Sequence, residues 1–171
     1  RTSWQRSMMA KVSGATAGES LRAVASRLRR VLLGGACFRR SITARTDRFS
    51  SKVLAMDVSS SVDPAEDALQ RGGLASALVA PAVKAAFFAA DDPVALAVFE
   101  WSGRYNQLVL QDWVLIDSPQ TLQTVANRIA TTPRSHSNYP TALGHAVGYA
   151  ATMLQRAPIC DAQTVDVSGD G

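Results

Sequence analysis

The chain has 171 residues, 47% of them hydrophobic and 19% charged, which suits one globular domain with a tail and excludes a disordered or low-complexity chain. Its net charge of +4 averages two unlike parts: residues 1–50 carry 11 Lys and Arg against Glu19 and Asp47 (net +9), whereas residues 51–171 carry 7 against 12 acids (net −5). No apolar run approaches the roughly 20 residues needed to cross a bilayer, so no transmembrane segment is expected.

Residues 1–50 read as a basic leader. Leu21, Val24, Ala25, Leu28 and Leu32 fall at helical spacing among Arg22, Arg27, Arg29 and Arg30. A basic amphipathic helix of this kind can lie on an anionic membrane, touch nucleic acid or serve as a targeting peptide. The plainer reading is a disordered or partly helical leader without a function of its own. Val31-Leu32-Leu33 is too short for the apolar core of a secretory signal, and Cys37 after Gly34-Gly35-Ala36 also lacks such a core. Cys37 and Cys160 read as two unrelated thiols rather than as a disulfide framework or a metal cluster, with a single bridge open to them only in an oxidising compartment.

From residue 51 the pattern becomes regular, and residues 51–171 read as one domain. Val53-Leu54-Ala55-Met56 is a short apolar run ending in Asp57, as in a buried parallel strand. Asp63-Pro64-Ala65-Glu66 then carries helix-start signals: a capping Asp, a Pro at the first helical position and a Glu at capping-box spacing. That helix is predicted to run to residue 78 or 79, before Pro81, within an uncharged, alanine-rich stretch that packs on a sheet. Residues 94–99 and 108–114 are predicted strands, with Asn106 marking the turn between them. Ser118-Pro119 starts the next helix, in which Leu122, Val125, Ala126 and Ile129 repeat at i, i+3, i+4 and i+7. After a loop over 131–140, Leu143, Ala146, Val147, Ala150 and Leu154 mark another helix, and residues 164–167 a last strand. Apolar strands between amphipathic helices predict an α/β three-layer sandwich, with a mostly parallel central sheet and helices on both faces. In such sheets ligands bind at the carboxyl ends of the strands, where strand order reverses.

Two of the predicted strands end in Asp and Ser. Asp57-Val58-Ser59-Ser60-Ser61 has the form D-x-S-x-S, in which alternate side chains can converge. A carboxylate and two hydroxyls are hard oxygen ligands suited to Mg²⁺, Mn²⁺ or Ca²⁺. The bland alternative is that serines just before a helix are caps.

Segment 57–61 resembles the metal-ion-dependent adhesion site of von Willebrand factor type A (VWA) domains, where D-x-S-x-S closes the first strand. In that family a Thr from a loop before a later helix and an Asp at the end of the fourth strand complete the site. Thr141, in Tyr139-Pro140-Thr141-Ala142-Leu143-Gly144, and Asp170, in Asp166-Val167-Ser168-Gly169-Asp170-Gly171, stand in those positions. Together with Phe99-Glu100-Trp101-Ser102-Gly103, these segments are similar to one bacterial branch of unknown function whose members usually carry a secretion signal. The resemblance implies that Ser59, Ser61 and Thr141 hold a divalent cation directly, Mg²⁺ above all, with Asp57 and Asp170 often acting through water. It implies a protein- or peptide-binding module in which the cation accepts an Asp or Glu carboxylate from the partner, with no enzymatic activity and no nucleic acid. A periplasmic or extracellular location is implied too, although no convincing signal peptide is present. VWA domains continue through two further strands, so the resemblance covers the first four and implies a sheet incomplete at Gly171. Where the branch commonly has glycine before the Thr, this chain has Asn138-Tyr139-Pro140, a stiffer backbone expected to displace Thr141.

The alternative from another class is a Mg²⁺-dependent α/β hydrolase or phosphotransfer enzyme using Asp57 and Asp170. Ser102 before Gly103 lacks the hydrolase elbow, and no glycine-rich phosphate loop occurs. His145 is expected at the surface, His136 in an ordinary polar loop before Thr141, and Trp101 in the core.

Overall fold

The structure, a computed structural model, describes residues 50–89, 93–158 and 162–169. The leader, Cys37, Cys160 and Asp170 lie outside the described residues. In chain order the elements are β1 (Ser50–Asp57), α1 (Pro64–Leu78), α2 (Pro81–Phe87), β2 (Val94–Ser102), β3 (Asn106–Ile116), α3 (Pro119–Thr131), α4 (Leu143–Gln155) and β4 (Ala162–Ser168).

The four strands form one sheet in the order β3-β2-β1-β4. β1 pairs parallel with β2 on one side and with β4 on the other, while β2 and β3 form an antiparallel hairpin. The α/β reading holds, with a mostly parallel sheet. Gly103 makes the hairpin turn at φ +58°, a left-handed conformation that costs a residue without Cβ little.

Strand alternation splits the apolar residues of β1 and β2 between two cores. Leu54, Met56, Leu96 and Val98 meet Ala75 and Leu78 of α1 and Leu122, Val125, Ala126 and Ile129 of α3. Val53, Ala55, Ala97, Phe99 and Trp101 meet Ala146, Ala150, Met153 and Leu154 of α4. The sheet is therefore covered on both faces, a three-layer sandwich. Trp101 is core, as expected.

Helix starts follow local chemistry. The Asp63 carboxylate accepts from the Glu66 N–H at 2.8 Å and the Glu66 carboxylate from the Asp63 N–H at 3.1 Å, a complete capping box with Pro64 in the first turn. Ser118 caps α3 through the Thr121 N–H at 3.2 Å.

The first helix ends at Leu78, before Pro81, as the sequence predicts, but Pro81 then opens a second short helix, α2, which was not expected and has no buried residue. In α4 the buried stripe is Ala146, Ala150, Met153 and Leu154, while Leu143 and Val147 are exposed. The alternative choice of Leu143 and Val147 fits the period about as well, but the sheet lies on the side of the alanines, which permit a closer helix–sheet approach.

Candidate metal centre

The strand directions place the carboxyl ends of β1, β2 and β4 at one end of the sheet. The chain leaves β1 for β2 on one side and returns through α4 to β4 on the other, so strand order reverses at β1. That is where an open α/β sheet forms its ligand crevice. Asp57, the last residue of β1, is fully buried there.

Beyond Asp57 the chain folds back on itself. The Asp57 carboxylate accepts from the Ser59 N–H at 2.8 Å, and the Val62 N–H donates to the Ser59 carbonyl at 3.0 Å, closing a turn. The turn brings the Ser59 and Ser61 hydroxyls within 3.1 Å. The Thr141 hydroxyl lies 3.1 Å from that of Ser59 and 3.3 Å from that of Ser61. Three hydroxyls therefore form a nearly equilateral triangle, with Ser59 buried and Ser61 and Thr141 facing solvent.

Thr141 reaches this position despite the Tyr-Pro sequence before it. The Tyr139 carbonyl accepts from the Ser60 N–H at 2.7 Å, and the Pro140 carbonyl from the Gly103 N–H at 2.7 Å. The loop is thus stitched to the β1 turn on one side and to the hairpin on the other, and the expected displacement does not arise. The fit is close: a Cβ on Gly103 would lie 3.2 Å from that of Tyr139. A second close approach concerns β4. A Cβ on Gly169 would come within 2.9 Å of the Asp57 carboxylate, so a side chain there would require that carboxylate to shift.

A buried charged group supports the site from the α1 side. Arg71 of α1 chelates Asp67 through Nε, at 2.9 and 3.1 Å, and pairs with Glu100 of β2 through Nη2. Burial alone would pull the Arg71 guanidinium down, but the hydrogen bonds to Asp67 and Glu100 and their charges raise its pKa above the ordinary value. The pair also organises the loop after α3: Arg71 Nη1 donates to the Thr132 carbonyl at 3.0 Å, and the Ser135 N–H to Glu100 at 3.1 Å. Next along α1, Gln70 donates to the Asp57 carbonyl at 2.9 Å.

Asp57, Ser59, Ser61 and Thr141 are thus brought together, and Asp170 lies outside the described residues. Among the described residues no three His, Cys, Asp or Glu side chains gather as a metal-binding group; the cluster consists of hydroxyls beside one carboxylate. His136 and His145 are both exposed, His136 packing edge-on against Tyr139 at 5.3 Å between ring centres and His145 near Tyr105 at 6.4 Å. Sequence reasoning passed over Asp67, Gln70, Arg71 and Arg134. The available signal was Glu100, a charged residue in an otherwise apolar strand, which when buried requires a cation.

Comparison with known proteins gives a family without an assigned role. Residues 50–171 match DUF1194, a protein family of unknown function. The chain belongs to DUF1194. A search of the curated proteins found no match. The DUF1194 match begins at the first residue of β1 and so takes in all the described elements. Among the described residues of this DUF1194 protein, no helix is long and apolar enough to cross a membrane.

Proposed function

We propose that this DUF1194 protein is a VWA-like binding module in which a divalent cation, held by Ser59, Ser61 and Thr141, accepts a carboxylate from a protein or peptide partner. The observation that carries the reading is the hydroxyl triangle, with edges of 3.1, 3.1 and 3.3 Å. Adjacent oxygens of an octahedral shell at the roughly 2.0–2.1 Å typical of Mg²⁺ lie about 2.9–3.0 Å apart, so the triangle is close to one face of such a shell. The donor set therefore fits a small, hard cation. Asp57, buried behind the triangle and fixed by the Ser59 N–H, supplies negative charge on the protein side. Asp170, next after the Gly169 that lies against Asp57, is the further carboxylate that the resemblance assigns to the site.

The residues themselves decide what such a site can do. Neutral hydroxyls hold a cation without cancelling its charge, so a bound Mg²⁺ or Mn²⁺ would offer a partner carboxylate an electropositive, exchangeable position. Ser61 and Thr141 border solvent, which leaves that side open to a macromolecule. The chain's part in recognition is to keep the three oxygens apart at fixed spacing, with the stitched Tyr139-Pro140 loop as the brace.

The test is retention of an Asp-containing peptide library on the immobilised full chain with Mg²⁺ and with chelator. Metal-dependent retention of Asp or Glu peptides, with Asn and Gln counterparts lost and no turnover of phosphoester or ester substrates, is expected. Equal retention of the amide and acid peptides, or metal-dependent turnover, would contradict it.

A further inference from the structure

Arg134 lies half-buried in the loop between α3 and α4 and reaches across to the turn that follows β1. Its Nη2 donates to the Val58 carbonyl at 2.9 Å and to the Ser59 carbonyl at 2.7 Å, and its Nε to the His136 carbonyl at 2.7 Å. Those first two carbonyls belong to the peptide groups on either side of the Ser59 Cα. Pinning both peptides fixes the orientation of that Cα, and with it the direction of the bond that carries the Ser59 hydroxyl. The Ser59 N–H is held from the third direction by the Asp57 carboxylate.

The guanidinium is itself braced. The residues on both sides of it are tied to the buried pair of α1 and β2, Thr132 through Arg71 and Ser135 through Glu100. A planar, multi-donor head is what this job requires. It serves three carbonyls at once from two fixed nitrogens, whereas a lysine ammonium carries its three donors on one atom at the end of a flexible stem.

We propose that Arg134 is a positioning residue of the hydroxyl cluster, setting Ser59 relative to Ser61 and Thr141. The role as a support of a cation site rests on the reading of the cluster given above. The clamp does not, because it can be seen in the backbone without any metal.

Arg134→Lys is the informative variant. It keeps the positive charge, so a change in cation affinity cannot be assigned to relief of repulsion. In the full 171-residue chain, Mn²⁺ titration is expected to show affinity about 10- to 100-fold below wild type, the range usual for loss of a group that orients metal ligands. Without metal, the Ser59 and Ser60 amides are expected to exchange with solvent faster than in wild type, while the melting temperature barely moves. Wild-type affinity together with wild-type exchange at those amides would overturn the proposal. If wild type itself takes up no Mn²⁺, the cation reading fails alone, and exchange still decides the clamp: faster exchange in the variant supports it and equal exchange overturns it. Methylguanidine titrated into Arg134→Ala gives a second readout. Restored protection of the Ser59 and Ser60 amides supports the clamp, and no response overturns it.

Discussion

On the α4 side of the sheet, Val53, Ala55, Ala97, Phe99 and Trp101 meet a helix face of Ala146, Ala150, Met153 and Leu154. The α1–α3 side has a comparable apolar core but adds Asp67, Arg71 and Glu100, all buried, at the end where the hydroxyls gather. Buried ion pairs often contribute little net stability compared with well-packed apolar groups, because desolvation offsets the attraction. The α4 layer shows that this sheet can be covered without them. The charges on the other side are better understood by what they hold: Thr132 and Ser135, the two ends of the segment that carries Arg134. One layer supplies cohesion, and the other supplies cohesion and the geometry of the loops.

Breaking one partner of the charged group is expected to give the largest effect. Glu100→Ala leaves Arg71 buried beside Asp67 alone, and is expected to cost roughly 3–5 kcal/mol in urea unfolding. Replacing the whole group, Asp67→Leu and Arg71→Met with Glu100→Leu, is expected to recover most of that stability while leaving the Ser135 amide more exchangeable than in wild type. Recovery of both stability and protection would remove the distinction between the layers.

The α4 layer is expected to respond to volume instead. Ala150 is fully buried against the sheet, and Ala150→Leu is expected to cost about 1–3 kcal/mol by overpacking, without altering exchange in the turn after β1.

The smallest effect concerns the start of α3. Asp117 accepts from the Thr121 hydroxyl at 2.7 Å, and that hydrogen bond is the main reason its carboxyl lies below its ordinary value. A lowered folded pKa contributes stability that is complete above the unfolded value of about 3.9 and is lost as pH falls through the lower folded value. Thr121→Val is therefore expected to reduce stability slightly at neutral pH. The part of that loss due to Asp117 should fade in acid below that window, as read by urea unfolding at several pH values. Asp117 is exposed, so a large effect at any pH would contradict this assignment.

Much of the architecture was legible because its causes are local. Asp63, Pro64 and Glu66 announce α1 within four residues, and Ser118-Pro119 announces α3, since a cap needs only its own first turn. Asp57, Ser59 and Ser61 lie within one turn and could be grouped from spacing alone. Thr141 could not: 80 residues separate it from Ser61, and only the family resemblance linked them. The network of Asp67, Arg71, Glu100 and Arg134 was hidden for the same reason, because on α1 a helical Arg four residues after an Asp reads as an ordinary exposed pair. The stripe of α4 was read correctly at Ala146, Ala150 and Leu154 but widened to Leu143 and Val147 in place of Met153, because hydrophobicity and period do not say which side of the alanines faces the sheet. Packing against a sheet favours small residues that let the backbone come close. The register of the β2–β3 hairpin, with its irregularities between Leu96 and Phe99, depends on cross-strand fit that no single segment displays.

The central claim is that the hydroxyl cluster and Asp57 form one cation site, and isothermal titration of the full chain with Mg²⁺ and Mn²⁺ tests it most directly. Wild type is expected to bind one ion, and Asp57→Ala and Thr141→Ala to show binding abolished or weakened by at least about tenfold. Asp57 is fully buried and Thr141 exposed, so agreement between the two variants would not reflect a shared folding defect. Equal affinity in wild type and both variants, or no heat from either ion in wild type, would contradict the account.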